Sequence, residues 1–213
     1  MTLRRPWARR IAVGTVSAAA LVALAVPAEA ATTATATSTS TATTTAAAED
    51  VDYDTWQKDT RAVMDQALPY LKQRIANTKP GEKQAIVFDI DNTTLETDFG
   101  FSYPQPANKP VQEVAKYAQE HGVSLFFVTA RPGIIYTVTD YNLKYVGYKV
   151  SGLYVRGFFD LFKNVGDYKT AQRVDIENKG YTIIANVGNS ATDLSGGHAE
   201  KTYKLPDYNG QLS

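Results

Sequence analysis

Two aspartates one residue apart close the apolar run in Ala85-Ile86-Val87-Phe88-Asp89-Ile90-Asp91-Asn92-Thr93. A buried strand that delivers paired carboxylates at its end places them where open α/β sheets hold their ligands, outside the carboxyl ends of the strands. Like charges held that close need a cation or a proton between them. The spacing of Asp89 and Asp91 therefore points to metal-assisted chemistry.

Three further clusters carry groups that can do chemistry. Thr129-Ala130-Arg131 follows a second apolar run, Lys169 lies near the start of a helical segment, and Gly188-Asn189-Ser190-Ala191-Thr192-Asp193 follows a third run. Taken singly, each has a plain structural reading. Asp and Thr after a strand are ordinary turn formers, a lone lysine is a solvated helix residue, and Thr129 with Arg131 reads as a cap and a surface charge. Their order along the chain gives them meaning together.

The elements that must position these groups follow from periodicity and breakers. Residues 52–77 read as an amphipathic helix, with Trp56, Val63, Ala67, Leu68, Leu71 and Ile75 at helical spacing. Pro69 is expected to kink or divide it, and Pro80-Gly81 ends it. A strand spans 85–89. Residues 96–110 form a loop, broken by Gly100, Pro104, Pro106 and Pro110. A helix at 111–120, a strand at 124–129 and a helix from 131 to about 145 follow. Residues 148–164 show no clear period. A helix at 167–178, a strand at 181–187 and a short strand at 202–205 complete the pattern. Strands alternating with helices imply parallel βαβ units. Right-handed crossovers then bring all strand C-termini to one rim, so Asp89, Thr129 and Asn189 share an edge. No internal repeat is present.

Composition bounds the partners. Arg4, Arg5, Arg9 and Arg10 precede an apolar segment, 11–26, that is short for a membrane span of about 20 residues. Pro27-Ala28-Glu29-Ala30 closes it with small residues, so residues 1–30 read as a secretory signal. Arg9-Arg10 is only a weak match to twin-arginine export. Residues 31–48 are almost entirely Thr, Ala and Ser and read as a disordered linker, because no large apolar side chains offset its ordering entropy. Residues 49–213 are expected to form one domain. The 22 basic and 22 acidic residues of the whole chain become a net charge of −3 once the four arginines and one glutamate of 1–30 are removed. That balance argues against a nucleic acid polymer as partner. With no cysteine there is no disulfide, thiolate metal site, cysteine nucleophile or lipid-modified cysteine. The expectation is an exported, extracellular protein with no stable membrane anchor; the sequence leaves the oligomeric state open.

The four clusters, in order and on their elements, resemble the motifs of the haloacid dehalogenase (HAD) superfamily, and most closely its secreted acid phosphatase branch, which includes class B and C enzymes and plant vegetative storage proteins. The resemblance extends over nearly all of 52–208, including Tyr168-Lys169-Thr170, Arg173 and Lys204-Leu205-Pro206. It implies a Rossmann-like three-layer α/β sandwich with a mostly parallel sheet and a minimal cap insert after the first strand. It further implies Mg²⁺-dependent hydrolysis of small-molecule phosphomonoesters through an aspartyl-phosphate. Asp89 would be the nucleophile and Asp91 the general acid and base. Thr129 and Lys169 would act on the phosphoryl group, with Thr93 and Arg131 binding substrate. Asp89, Asp91 through its main-chain carbonyl, Asp193 and Asn189 would hold the metal. Asn189 departs from the pattern, which usually has an acidic residue directly after the glycine. It keeps a phosphate-binding or storage-like protein with weak catalysis in view as the alternative. Dehalogenation fits poorly, because those relatives need no metal and Asp91 favours phosphoryl transfer.

Three aromatic residues, Phe99, Phe101 and Tyr103, fall where this superfamily inserts its cap. They read either as a stacking surface for the leaving group, with Phe101 and Tyr103 binding substrate, or as packing of the loop onto the domain. Of the two histidines, His121 reads as a helix-end surface residue and His198 either as a loop residue or as a neighbour of the site.

Overall fold

The computed structural model describes residues 51–100 and 102–212. The signal and linker readings and Phe101 therefore lie outside the described residues.

Helix α1 (Tyr53–Ala76) begins at Asp52, whose carboxylate accepts from the Thr55 N–H at 2.9 Å, the N-cap arrangement that satisfies an otherwise unpaired amide. Its buried stripe is Trp56, Thr60, Met64, Ala67 and Leu71. Pro69 sits off that stripe, on an exposed position, and α1 continues through it as one helix. Solvent can satisfy the carbonyl that the missing N–H leaves free, so the expected division does not occur.

Five strands follow: β1 (Lys83–Phe88), β2 (Ser124–Pro132), β3 (Val150–Arg156), β4 (Tyr181–Gly188) and β5 (Thr202–Lys204). They pair in the order β3-β2-β1-β4-β5, every pair parallel. The helices between them are α2 (Lys109–Glu120), α3 (Tyr136–Tyr145), α4 (Val165–Asn178) and the single turn α5 (Ala191–Leu194). Alternation along β1 sends Ile86 and Phe88 into a core with Met64, Leu71, Val114 and Leu143. Ala85 and Val87 face a second core with Phe126, Tyr168, Ile176 and Ile183. The sheet is covered on both faces, as parallel sheets are, giving the three-layer sandwich expected. Among the described residues no helix is long and apolar enough to cross a membrane.

The segment expected to lack a clear element contains β3. It escapes a periodicity reading because Gly152 interrupts it and its residues are half-buried at the sheet edge. A Cβ at Gly152 would lie 2.7 Å from the Phe126 ring, so this glycine marks close packing rather than a turn. Strand β2 runs on to Pro132, which pairs with Arg156. A short 3-10 turn, Gly133–Ile135, then precedes α3, so the helix begins later than its sequence signals place it.

The direction of strand order reverses at β1, with β2 and β3 on one side and β4 and β5 on the other. The loops after β1 and β4 diverge there, which opens the crevice where ligands bind in open α/β sheets.

Candidate active site

Where β1 ends, the Asp89 N–H donates to the Val187 carbonyl at 2.9 Å, keeping the residue in register with β4. The Ile90 carbonyl then accepts from the amides of Thr93, Thr94 and Leu95 at 3.2, 3.0 and 3.0 Å. This tight turn needs Asn92 at φ 51°, a left-handed conformation that asparagine tolerates better than most residues. Ile90 is buried while Asp89 and Asp91 on either side of it line a cleft of about 500 Å³.

Lys169 and Asp193 complete the centre of that cleft. Asn164 caps α4, its side chain accepting from the amides of Gly166 and Asp167 at 2.8 and 3.3 Å, and the next turn presents Lys169. Its ammonium donates to Asp89 Oδ1 at 2.6 Å and to Asp193 Oδ1. Asp193 also accepts from the Ser190 N–H at 2.8 Å through Oδ2, closing a capping box with Ser190. Gly188 makes room for it, since a Cβ there would meet Asp193 Cβ at 2.3 Å. Arg173, fully buried, donates to the Asp193 carbonyl at 2.7 Å and the Gly197 carbonyl at 2.9 Å. It braces the loop after β4 instead of facing the cleft.

Two carboxylates and one ammonium leave this buried trio with an excess negative charge. Burial raises the Asp89 carboxyl above its ordinary range, and although Lys169 pulls it down, Asp193 and Asp91 push it up further. Burial would lower the Lys169 ammonium, but Asp89 and Asp193 outweigh it and keep it charged. Asp91 is held separately. Burial acts to raise its carboxyl, but the Arg131 guanidinium and, at 2.9 Å, the Thr97 hydroxyl bring it below the carboxylate range.

The structure thus brings Asp89, Asp91, Lys169, Asn189 and Asp193 to one cleft. The other expected residues sit behind or beside it. Thr129 is buried, its hydroxyl accepting from the Arg131 N–H at 3.2 Å, while its neighbour Ala130 lines the cleft. Thr93 is also buried, its hydroxyl donating to Asn189 Oδ1 at 3.2 Å and accepting from the Asn189 N–H at 3.1 Å. Arg131 faces Asp91. Tyr103 is 60% exposed, with its hydroxyl on the Val138 carbonyl and its ring near Tyr141 of α3. Phe99 stacks on Trp56 of α1 at 4.3 Å, which is the packing reading of this loop. His121 stacks on Tyr117 at the end of α2. His198 pairs with Glu177 at 2.6 Å, away from the cleft lining.

Asn92, Thr97, Asp98, Val165, Ser190 and Thr192 also line the cleft. Ser190 could have been found from its Ser-x-x-Asp capping spacing, and Asn92 from its place inside the tight turn. Val165 and Thr192 carry no sequence signal of their own.

Among the described residues, four aspartates and a single lysine line the cleft. Such a wall is poorly suited to a phosphate dianion unless further positive charge enters with it. Among the described residues no group of three His, Cys, Asp or Glu side chains is arranged to hold a metal ion. The oxygens of Asp89, Asp91, Asn189 and Asp193 nonetheless supply the hard donors that Mg²⁺ takes, with main-chain and amide oxygens and water filling the rest of its shell. In donor chemistry and in charge, the site fits that ion.

Comparison with known proteins bears on the family and the fold. The family model described as HAD superfamily, subfamily IIIB (acid phosphatase) matches residues 9–211. The stem 28 kDa glycoprotein of Glycine max is 29% identical over 176 residues, covering 71% of this chain and 68% of that protein. A stem 31 kDa glycoprotein of the same plant is also 29% identical, with 59% of its length covered. Among solved structures, the class C acid phosphatase from Bacillus anthracis superposes with a TM-score of 0.59 at 17% identity, covering 74% of this chain and 80% of that one. The same enzyme with tungstate bound gives a TM-score of 0.55.

Proposed function

Because the chain belongs to the HAD superfamily, subfamily IIIB, the acid phosphatases, we propose that it hydrolyses phosphomonoesters in this cleft through an aspartyl-phosphate, with Mg²⁺ as cofactor. The observation that carries the reading is the buried trio of Asp89, Lys169 and Asp193, assembled from the ends of β1 and β4 and the start of α4. Its residual negative charge calls for a cation, and its lysine supplies positive charge where a phosphoryl group would sit.

Asp89 Oδ1 is engaged by Lys169, which leaves Oδ2 as the attacking oxygen. A bond forms from that oxygen to phosphorus as the bond from phosphorus to the alcohol oxygen breaks, and the alcohol takes a proton from Asp91. Asp91 then accepts a proton from the water that attacks the aspartyl-phosphate, releasing phosphate and restoring Asp89. Lys169 balances the phosphoryl charge throughout. The oxygens of Asp89, Asp91, Asn189 and Asp193 would hold Mg²⁺, which supplies Lewis-acid charge neutralisation at the phosphoryl oxygens. Thr93 ties the loop that carries Asp91 to Asn189, and Thr129 holds the amide of Arg131, the residue paired with Asp91. Residues 1–30 would direct export, with 31–48 as a tether to an extracellular catalytic domain at 49–213.

Tungstate, bound by the Bacillus anthracis enzyme, is a phosphate mimic and a suitable probe of this cleft. The test is release of phosphate from p-nitrophenyl phosphate with Mg²⁺ and with a chelator. Turnover that the chelator abolishes and Mg²⁺ restores supports the reading. Tight phosphate binding without turnover supports instead a phosphate-binding or storage-like role, which Asn189, an uncharged residue at a position expected to be acidic, would favour.

A further inference from the structure

The segment after β5 returns to the catalytic rim. Leu205 N–H donates to the Gly188 carbonyl at 2.9 Å, and Lys204 pairs with Asp207 at 2.9 Å. Residues 207–212 then form a closed turn, with the Leu212 N–H on the Asp207 carbonyl at 3.1 Å. The Tyr208 hydroxyl anchors this turn to α1 through Asp59 at 2.9 Å. The turn delivers the Leu212 carbonyl into a buried position between the two motif loops. There it accepts from Asn92 Nδ2 at 3.1 Å and from Asn189 Nδ2.

Asn92 belongs to the loop after β1 and Asn189 to the loop after β4. One carbonyl, with two lone pairs, thus ties together the loops that carry Asp89, Asp91 and Asp193. It also decides how Asn189 is turned. A carbonyl oxygen can only accept, so the amide must present its nitrogen to Leu212 and its oxygen to the other side, where the Thr93 hydroxyl meets it. A carboxylate at 189 would set an oxygen against the Leu212 oxygen with no proton between them. Both residues are buried, at 3% and 4% exposure, so water could not relieve that contact.

We propose that residues 207–212 clamp the catalytic rim through the Leu212 carbonyl, and that this clamp is the reason an amide stands at position 189. Asn92 and Leu212 are then positioning residues, acting on the site through Asn189 and the loop after β1. The consequence for turnover rests on the phosphatase reading, whereas the clamp itself does not.

A double-mutant cycle tests it on the full chain: the parent, Asn189→Asp, a chain lacking residues 209–213, and the two changes combined. Thermal midpoints are the readout in all four chains, and backbone hydrogen exchange at 205–212 is read in the two full-length ones. In the full chain, Asn189→Asp should lower the midpoint and speed exchange in the turn about tenfold, the scale of one lost buried hydrogen bond. In the shortened chain the same substitution should have little further effect. Equal effects in both backgrounds, or unchanged protection of the turn, would overturn the clamp. Should the shortened chain fail to fold, Asn92→Gly removes one donor while keeping the left-handed backbone. Faster exchange at 205–212 then supports the proposal, and unaltered exchange refutes it. Absence of turnover in the parent would count against the phosphatase reading and leave this cycle intact.

Discussion

Arg131 holds Asp91 with a forked contact: Nη2 lies 2.7 Å from Oδ1, and Nε lies 3.1 Å from both carboxylate oxygens. The guanidinium is itself fixed by Gln105 Oε1 at 2.8 Å and the Thr139 hydroxyl at 3.3 Å. The residue proposed to donate a proton to the leaving alcohol is therefore kept ionised by its neighbour.

That pairing has a direct consequence for the pH profile. Proton donation requires protonated Asp91, so the alkaline limb of kcat/KM should report its titration in the free enzyme. Arg131→Gln removes the group that lowers the Asp91 carboxyl. Its pKa should rise, Asp91 should stay protonated to higher pH, and the alkaline limb should move upward. Profiles measured with p-nitrophenyl phosphate check this; a limb that stays in place would separate Asp91 from the proton transfer.

Acid stability should depend on Arg74, which bridges Glu82 and Glu200. The Arg74 guanidinium, helped by the Lys79 N–H, lowers the Glu82 carboxyl to about 2 from an ordinary 4.5. A depressed folded-state value stabilises the fold fully above the unfolded value and loses that effect as pH falls from there toward 2. Glu82→Gln should accordingly lower the thermal midpoint at neutral pH, with the gap from the parent narrowing below pH 4.5. Thermal melts across that range would show it, and a gap independent of pH would contradict it.

Packing at the sheet edge gives a third expectation. Gly152→Ala places a methyl 2.7 Å from the Phe126 ring and should destabilise by about 1–3 kcal/mol, the usual scale of overpacking. Combining it with Phe126→Leu should recover part of the loss. Chemical denaturation of the three variants decides, and a neutral Gly152→Ala would mean that the edge strand yields freely.

The sequence was most legible where physical signals agreed. The run into Asp89, the alternation of strand and helix, and the ordered appearance of Lys169 and Asp193 together implied the sheet and the rim they share. It was least legible where tertiary contact decides the outcome. Residues 148–164 show no clear period until Phe126 is seen packed against Gly152. Pro69 reads as a kink or a division of the helix until its exposed position off the buried stripe is known. The family resemblance implies substrate contacts for Thr93 and Arg131; that their side chains also meet Asn189 and Asp91 could only be seen in the fold. The Leu212 carbonyl carries no side-chain signal at all, because its role belongs to the backbone and depends on a turn 120 residues from Asn92.

The most direct test replaces the proposed nucleophile. Asp89→Asn keeps the shape and the hydrogen-bonding capacity toward Lys169 but removes the carboxylate proposed to attack phosphorus. Phosphate release from p-nitrophenyl phosphate in the presence of Mg²⁺ should fall by at least about 10³-fold, the scale on which lost catalytic groups act. Circular dichroism should show the fold intact. Turnover near that of the parent from a folded Asp89→Asn protein would contradict hydrolysis through an aspartyl-phosphate at this residue.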